Sequence, residues 1–415
     1  MAPLQVTAAK PLHYRIMTPL RDFINDSRST GVLLIGCTLI SLIIANSAGG
    51  TWYSTMWSSE LSGSKALHLP ATPLEWINNF MMAFFFLLAG MEIKRELLNG
   101  ELSSFKKAIL PFGAAFGGML VPALIYTAFN LHTSHAHGWG IPTATDIAFS
   151  LGIASLLGKR FPVGLKILLM ALAIIDDLGA IVVIALFYGA QVHGWWLAIA
   201  GALYAGLFVC NYLKIKFGAI QIVIGLALWF AMLQSGVEAS ITGVLFAFAT
   251  PVRHLALIEK IIHKPINFFI LPLFALANTA ILIPNNIMQS LGTTVSMGVI
   301  LGLVIGKPVG IFLVSRIMVA CNIAHLPSNT KWKQLFGMGT LAGIGFTMSI
   351  FTTMLAFNQE SFRNIAKISI LISVVCSVII SVVYFRIISG KYKSPIAITQ
   401  TPEAQPQPDM GLTAA

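Results

Sequence analysis

The chain has 415 residues, 56% of them hydrophobic and only 10% charged, with a formal net charge of +11. Soluble domains carry about a quarter charged residues, so this composition, with a mean hydropathy of +0.82, excludes an ordinary soluble domain and implies a chain solvated by a lipid bilayer. The basic excess does not mark a nucleic-acid binder: Lys and Arg fall in short clusters between apolar runs, and no basic stretch is interleaved with the aromatics that a nucleic-acid groove needs.

Residues 1–29 carry Lys10, Arg15, Arg21 and Arg28 but no long apolar core, so they read as a cytoplasmic segment and not as a cleavable signal peptide. Ile16, Met17, Leu20, Phe23 and Ile24 recur at helical spacing and predict a segment lying on the membrane surface. Twelve apolar stretches follow, with cores near 30–47, 74–97, 107–130, 141–157, 164–188, 195–213, 218–234, 237–250, 265–287, 295–320, 335–356 and 366–388. Each is predicted to be a helix, because a segment in lipid must satisfy its own backbone hydrogen bonds. The stretches at 141–157 and 237–250 fall short of the roughly 20 residues that span the hydrocarbon core. Residues 391–415, rich in Pro, Gln and Thr from Ser394 onward, predict a disordered cytoplasmic tail.

The fold class that follows is an all-α polytopic membrane protein, with one twelve-helix domain over 30–390. Its orientation comes from charge. With the N-terminus in the cytoplasm, cytoplasmic segments hold 22 of the 26 Lys and Arg, and the outer loops hold only Lys65, Arg363 and Lys367. Cys37, Cys210, Cys321 and Cys376 lie in or beside apolar runs without metal-type spacing, and read as packing residues.

Against this background the ionisable residues inside the spans stand out. Asp146, Asp176 and Asp177 are the only aspartates between Asp26 and the tail, and Lys307 joins them. An ionisable group at the bilayer centre costs at least about 2.5–3.5 kcal/mol, so such residues mark pairs, wet cavities or chemistry. Asp176 and Asp177 are adjacent in Ala171-Leu-Ala-Ile-Ile-Asp-Asp-Leu-Gly-Ala180. Neighbours on a helix project about 100° apart, so one carboxylate can pair while the other meets water, and two acids this close titrate as a coupled pair. That suits a site exchanging protons for a cation. Asp146 lies in Gly140-Ile-Pro-Thr-Ala-Thr-Asp146, where Pro142 removes a backbone donor and Thr143 and Thr145 bond locally, so the fourth stretch should unwind near its middle. Gly337, Gly339, Gly343 and Gly345 make the eleventh a second candidate, with close helix contact as the competing reading. The two stretches are seven apart, and an odd offset reverses orientation, the pattern of an inverted repeat. Broken helices expose dipole ends, which Asp146 and Lys307 are placed to offset. Lys307 precedes Pro308, another point of disturbed helix geometry.

These motifs resemble the bacterial NhaA-type sodium/proton antiporters. The likeness runs from about Ser27 to Lys391 and is carried by Thr143-Ala-Thr-Asp-Ile-Ala-Phe149, Leu169-Met-Ala-Leu-Ala-Ile-Ile-Asp-Asp-Leu-Gly-Ala180, Gly306-Lys-Pro308, Gly343-Ile-Gly-Phe-Thr-Met-Ser-Ile-Phe351 and Phe85-Phe-Leu-Leu-Ala-Gly-Met-Glu-Ile-Lys-Arg-Glu-Leu97. The resemblance implies twelve helices in a bacterial inner membrane, with the fourth and eleventh interrupted and crossed. It implies Na⁺ and protons bound at Asp176 and Asp177, Asp146 and Thr145 at the crossing, and Lys307 paired with Asp176. It implies a secondary transporter rather than an enzyme, exporting Na⁺ and Li⁺ against protons for sodium and pH homeostasis, with no cofactor beyond the transported ions. It also implies a homodimer, through the outer loop at 48–73, and pH control at Glu92, Arg95, Glu96 and Glu259. Two departures bear on that control: Asn79 stands where studied members have an acid, and Glu238 where they have a histidine; the loop at 251–264 is also shorter.

His132, His135 and His137 in the outer loop have a spacing that can ligate a metal, but without a neighbouring acid or cysteine they read as a hydrated loop. Three other functions fit the acids less well. An intramembrane aspartyl protease uses paired aspartates, but in other sequence contexts. A channel uses symmetric rings. A sodium-coupled symporter needs an organic-solute site that nothing in the spans suggests.

Overall fold

The structure is a computed structural model that describes residues 29–189, 192–284, 286–328 and 330–390. The expected surface segment, up to Arg28, and the expected tail at 391–415 lie outside the described residues. Among the described residues there are helices and connecting coil, and no strand.

In chain order the helices are α1 (Ser29–Ala45), α2 (Gly50–Ser58), α3 (Pro73–Asn99), α4 (Phe105–Asn130), a 3-10 helix at Ala136–Thr143 leading into α5 (Ile147–Leu157), α6 (Val163–Phe187), α7 (Gly194–Tyr212), α8 (Ala219–Ser235), α9 (Ala239–Ala249), α10 (Val252–Asn278), α11 (Ile287–Leu291), α12 (Thr294–Ala320), α13 (Trp332–Ala342), α14 (Phe346–Ala356) and α15 (Glu360–Gly390). Eight of these spans are long and apolar enough to cross a membrane, and ten are if the bent pairs α1–α2 and α13–α14 each count as one. The shorter apolar helices α8 and α9 stand beside them. Every apolar stretch read from the sequence falls on one of these elements.

The stretch expected at 265–287 ends as helix at Asn278, with coil over 280–284, and two expected loops are helical instead, each for a physical reason. The segment expected as a loop at 251–264 is the first half of α10. It is amphipathic: Leu255 is buried and Ile258 and Ile262 are half-buried, while Arg253, Lys260 and Lys264 are exposed. A polar stripe lowers the average hydropathy of a helix without disfavouring the helix itself. Likewise, part of the outer loop expected at 48–73 forms α2, which turns back 113° from α1. Asn46 ties that corner, donating to Ile281 O at 2.9 Å and accepting from the Ile283 N–H at 2.8 Å.

Close backbone approach sets the helix packing. α4 lies against α12 through Gly117 and Gly310: a Cβ built on Gly310 would stand 2.1 Å from the Gly117 carbonyl oxygen, and one on Gly117 would stand 2.3 Å from the Gly310 carbonyl oxygen. Small residues at such a crossing let dispersion and backbone contacts replace the hydrophobic drive that lipid does not supply. α12 also contains a π turn, Gly302–Gly306, directly before Lys307 and Pro308. Proline lacks an N–H and clashes with the carbonyl four residues back, and a widened turn relieves that clash.

Gly310→Ala is expected to destabilise the fold by about 1–3 kcal/mol through overpacking. Gly201→Ala, where nothing lies within 4 Å of the added carbon, should be neutral or slightly stabilising. Thermal midpoints in the same detergent distinguish the two; equal midpoints would refute the packing account.

Candidate functional site

The 3-10 helix ends at Thr143, whose hydroxyl donates back to Gly140 O at 2.8 Å. Ala144 is extended, and helix resumes at Ile147 with Asp146 as its N-cap, accepting from the Phe149 N–H at 2.9 Å. On the other chain segment α13 stops at Ala342, and α14 restarts at Phe346 with its axis turned 49°. The two interruptions lie side by side, joined by the Asp146 N–H donating to Ile344 O at 2.7 Å. Each supplies backbone partners that the other lacks, which a buried interruption requires. Gly343 is needed here for space: its added Cβ would stand 2.4 Å from Leu303 O. Gly337 and Gly339 meet Phe385, Tyr384 and Pro308 instead, so in this stretch both readings of the glycines apply, at different positions.

Charge is distributed over the broken ends by sign. Asp146 faces the starts of α5 and α14: besides the Phe149 N–H, it accepts from the Thr347 N–H at 3.1 Å and the Thr347 hydroxyl at 2.6 Å. Helix N-termini carry partial positive charge, so a carboxylate is stabilised there. Lys307 serves the opposite end. Its ammonium donates to the carbonyl of Thr143, the last residue of the 3-10 helix, and to Asp176 Oδ2 at 2.7 Å. The Thr145 hydroxyl lies 2.7 Å from Asp176 Oδ2 and 2.8 Å from the carbonyl oxygen of Ala342, the last residue of α13. Gly118 packs beside this site: a Cβ there would stand 2.9 Å from Ile311 Cγ1, and only in ordinary contact, 3.6 Å, with Lys307 Cε.

The adjacent acids on α6 part company. Asp177 lines a cavity of about 230 Å³ that also takes in Thr145, Asp146, Thr347 and Glu92 and reaches exposed Arg95 and His263. Asp176 and Lys307 sit outside that lining and have no exposed surface. No described residue donates a hydrogen bond to Asp177, and its Oδ1 is buried without a partner. Of the two aspartates in the cavity, Asp146 is engaged by two helix starts and Asp177 by no hydrogen-bond donor among the described residues; Glu92 is the third acid of the lining.

Of the remaining candidates, Arg95 pairs with Glu259 across α3 and α10 and lies 3.9 Å from Glu96. Arg95 is 45% exposed, so these ion pairs contribute little to stability. Asn79 offers its carbonyl oxygen to the Trp229 indole at 3.0 Å, and Glu238 caps the start of α9. Among the described residues no group of three or more His, Cys, Asp or Glu gathers for a metal ion; His135 packs on Phe362, ring centroids 3.9 Å apart. Sequence reasoning missed Thr347, though it stands two residues after Gly345 in a quoted motif, just as a hydroxyl stands beside Asp146. It also missed Lys94, which caps the end of α9 through Phe248 O and Thr250 O at 2.7 and 2.6 Å. The carbonyls of Thr143 and Ala342 leave no sequence signal, because every residue has one.

A family model described as Na⁺/H⁺ antiporter 1 matches residues 21–385. The chain is 48% identical over 359 residues to a protein of Flavobacterium psychrophilum named Na(+)/H(+) antiporter NhaA, covering 85% of this chain and 92% of that one. It is 47% identical over 366 residues to a protein of the same name from Dechloromonas aromatica (86% and 92% covered). A Vibrio cholerae protein of that name is 45% identical over 362 residues (85% and 93%).

Removing one partner of a buried ion pair costs about 3–5 kcal/mol, while removing both is often near neutral. Lys307→Met should therefore lower the thermal midpoint sharply, and Lys307→Met with Asp176→Leu should recover most of the loss. Additive losses in this double-mutant cycle would mean that the two side chains do not interact.

Proposed function

We propose, from the premise that this chain belongs to the Na⁺/H⁺ antiporter 1 family, that it exports Na⁺, and also Li⁺, in exchange for protons, with Asp177 as the carboxylate that the cation meets first. The observation that carries this reading is the asymmetry of the two acids: Asp177 opens into the cavity without a hydrogen-bond donor, while Asp176 is held by Lys307 and Thr145. A hard cation takes oxygen ligands, and the same cavity holds the oxygens of Asp146, Thr145 and Thr347.

In the working cycle, Na⁺ enters past Arg95 and His263 and binds deprotonated Asp177. Asp176 joins as a ligand when Lys307 releases it. Protons leave as the cation binds and return once it has departed on the other side. An empty, charged site is costly to carry through a low-dielectric core, which enforces exchange over leak. Two protons, shared among the two carboxylates and the lysine, return per Na⁺, so exchange is electrogenic. The architecture we assign to this cycle is twelve crossing segments in the inner membrane of a bacterium, both termini cytoplasmic, with the interrupted fourth and eleventh segments crossing at the site within an inverted repeat.

Glu92, Arg95, Glu96 and Glu259 are assigned to pH control of entry. What supports this is position: Glu92 and Arg95 line the cavity, and Arg95 ties α3 to α10 through Glu259. A homodimer, through the segment at 48–73, completes the reading; α2 in that segment leaves Trp52 70% exposed.

The test is exchange in energised inverted vesicles that report internal acidity by dye quenching. Na⁺ or Li⁺, but not K⁺, is expected to collapse the pH gradient, and Asp177→Asn to abolish the response. Wild-type exchange rates in Asp177→Asn would sink the assignment of that residue, and no response at any pH in the parent would sink the antiport itself.

A further inference from the structure

One face of α15 carries serines a turn apart, Ser369, Ser373, Ser377 and Ser381, all buried. Three of them donate to the carbonyl four residues back: Ser369 to Ile365 O at 2.7 Å, Ser373 to Ser369 O at 2.7 Å and Ser381 to Ser377 O at 2.6 Å. Back-bonding of this kind is the ordinary fate of a hydroxyl on a buried helix. Ser377 is the exception, because its Oγ has no hydrogen-bond partner among the described residues. It faces Gly343, in the interruption between α13 and α14, where a built Cβ would stand 3.2 Å from it.

Two backbone carbonyls reach the same spot, Thr340 O at 3.3 Å from that Cβ position and Leu303 O nearer still. Each has lost its donor to a break in helix geometry. At α or π spacing, Leu303 O could take the N–H of Lys307 or of residue 308; the first goes to Gly302 O in the π turn, and the second does not exist, because residue 308 is proline. A continuing helix would bring the Ile344 N–H to Thr340 O, but where α13 stops that N–H turns to Leu341 O at 3.1 Å. Three oxygens therefore converge on the bare side of a glycine. Two can only accept, and the third has a hydrogen to give.

We propose that this junction binds one internal water, which donates to Leu303 O and Thr340 O and accepts from the Ser377 hydroxyl. Counting hydrogens selects the ligand. Water brings two hydrogens for two carbonyls and a lone pair for one hydroxyl, and about three polar partners is the usual number for a buried water. Na⁺ or Li⁺ would find no carboxylate among these oxygens, and the charge of Lys307, one turn along α12 from Leu303, would oppose it. The water fastens the severed end of α13 and the middle of α15 to the turn of α12 that carries Lys307. On the antiport reading, Lys307 releases Asp176 when the cation binds; the fastened turn resists that release, which makes Ser377 a positioning residue for the lysine.

The experiment compares Ser377→Ala with Ser373→Ala in the full-length protein, two buried serines of one helix that differ in what the hydroxyl meets. Crystals of the parent, grown in Na⁺ and in Tl⁺, should show one density peak within hydrogen-bond reach of Ser377 Oγ, Leu303 O and Thr340 O, with no anomalous signal from Tl⁺. Ser377→Ala should lower the thermal midpoint by about 2 °C or more, and Ser373→Ala by less. Ser377→Ala should also lower the KM for Na⁺ in exchange at least about twofold, because Lys307 lets go more readily, while Ser373→Ala leaves it unchanged. No peak, a Tl⁺ signal at the peak, or equal midpoints in the two variants would each overturn the site, and an unchanged KM in Ser377→Ala would overturn its hold on Lys307. If the parent exchanges no ions at all, the antiport reading falls, and the density and the midpoints still decide the water site.

Discussion

Neither Asp176 nor Lys307 has any exposed surface, and the ion pair between them constrains most of what surrounds it. Two charges taken out of water are tolerated only when good geometry and further hydrogen bonds compensate the lost hydration. Lys307 finds its second partner at the carbonyl of Thr143, and Asp176 finds one at the Thr145 hydroxyl. Both partners exist because the chain is not helical there: an intact helix would have spent that carbonyl on its own ladder. The broken segment and the ion pair thus require one another. The same demand reaches outward to the π turn before Lys307 and to Gly343, where Leu303 comes too close for any side chain.

Asp177 differs from Asp176 by one position and by everything that follows from a 100° rotation on a helix. One face of α6 is closed by a lysine and a threonine; the next opens on a cavity that other elements leave unfilled. Natural sequences place such unsatisfied groups where function needs them and compensate elsewhere. Here the compensation is visible in Asp146, which shares the cavity yet is saturated by the starts of α5 and α14.

Much of this was legible in the residues, and for definite reasons. Apolar runs of the right length mark helices because lipid leaves the backbone no alternative, and charged residues within them are conspicuous because they are costly. The interruption at Asp146 was announced by Pro142 and two threonines. What stayed hidden was whatever averaging or ubiquity conceals. The first half of α10 hid behind its own polar stripe, and α2, nine residues long, is too short to register as a span. Thr347 was one hydroxyl among several in its stretch, and Lys94 one cation in a charged cluster. Carbonyls freed by broken helices have no sequence mark at all. Apart from the resemblance, the residues themselves do not say which of two adjacent aspartates pairs with Lys307, because helix phase decides it against Lys307, 131 positions away, and Thr145, 31 positions away.

The Thr145 hydroxyl has a consequence that comes from counting hydrogens. It carries one, yet it stands within bonding distance of two acceptors, the Asp176 carboxylate and the Ala342 carbonyl. When Asp176 is ionised, the hydroxyl must choose, and whichever oxygen it leaves holds a lone pair without a hydrogen. When Asp176 holds a proton on that oxygen, the acid can donate to the threonine and the threonine to the carbonyl, so that the hydroxyl no longer has to choose between two acceptors. A single rotatable O–H bond therefore acts as an indicator of the charge on Asp176, and it relays that state, without any movement of the backbone, to the severed end of a helix on the far side of the site.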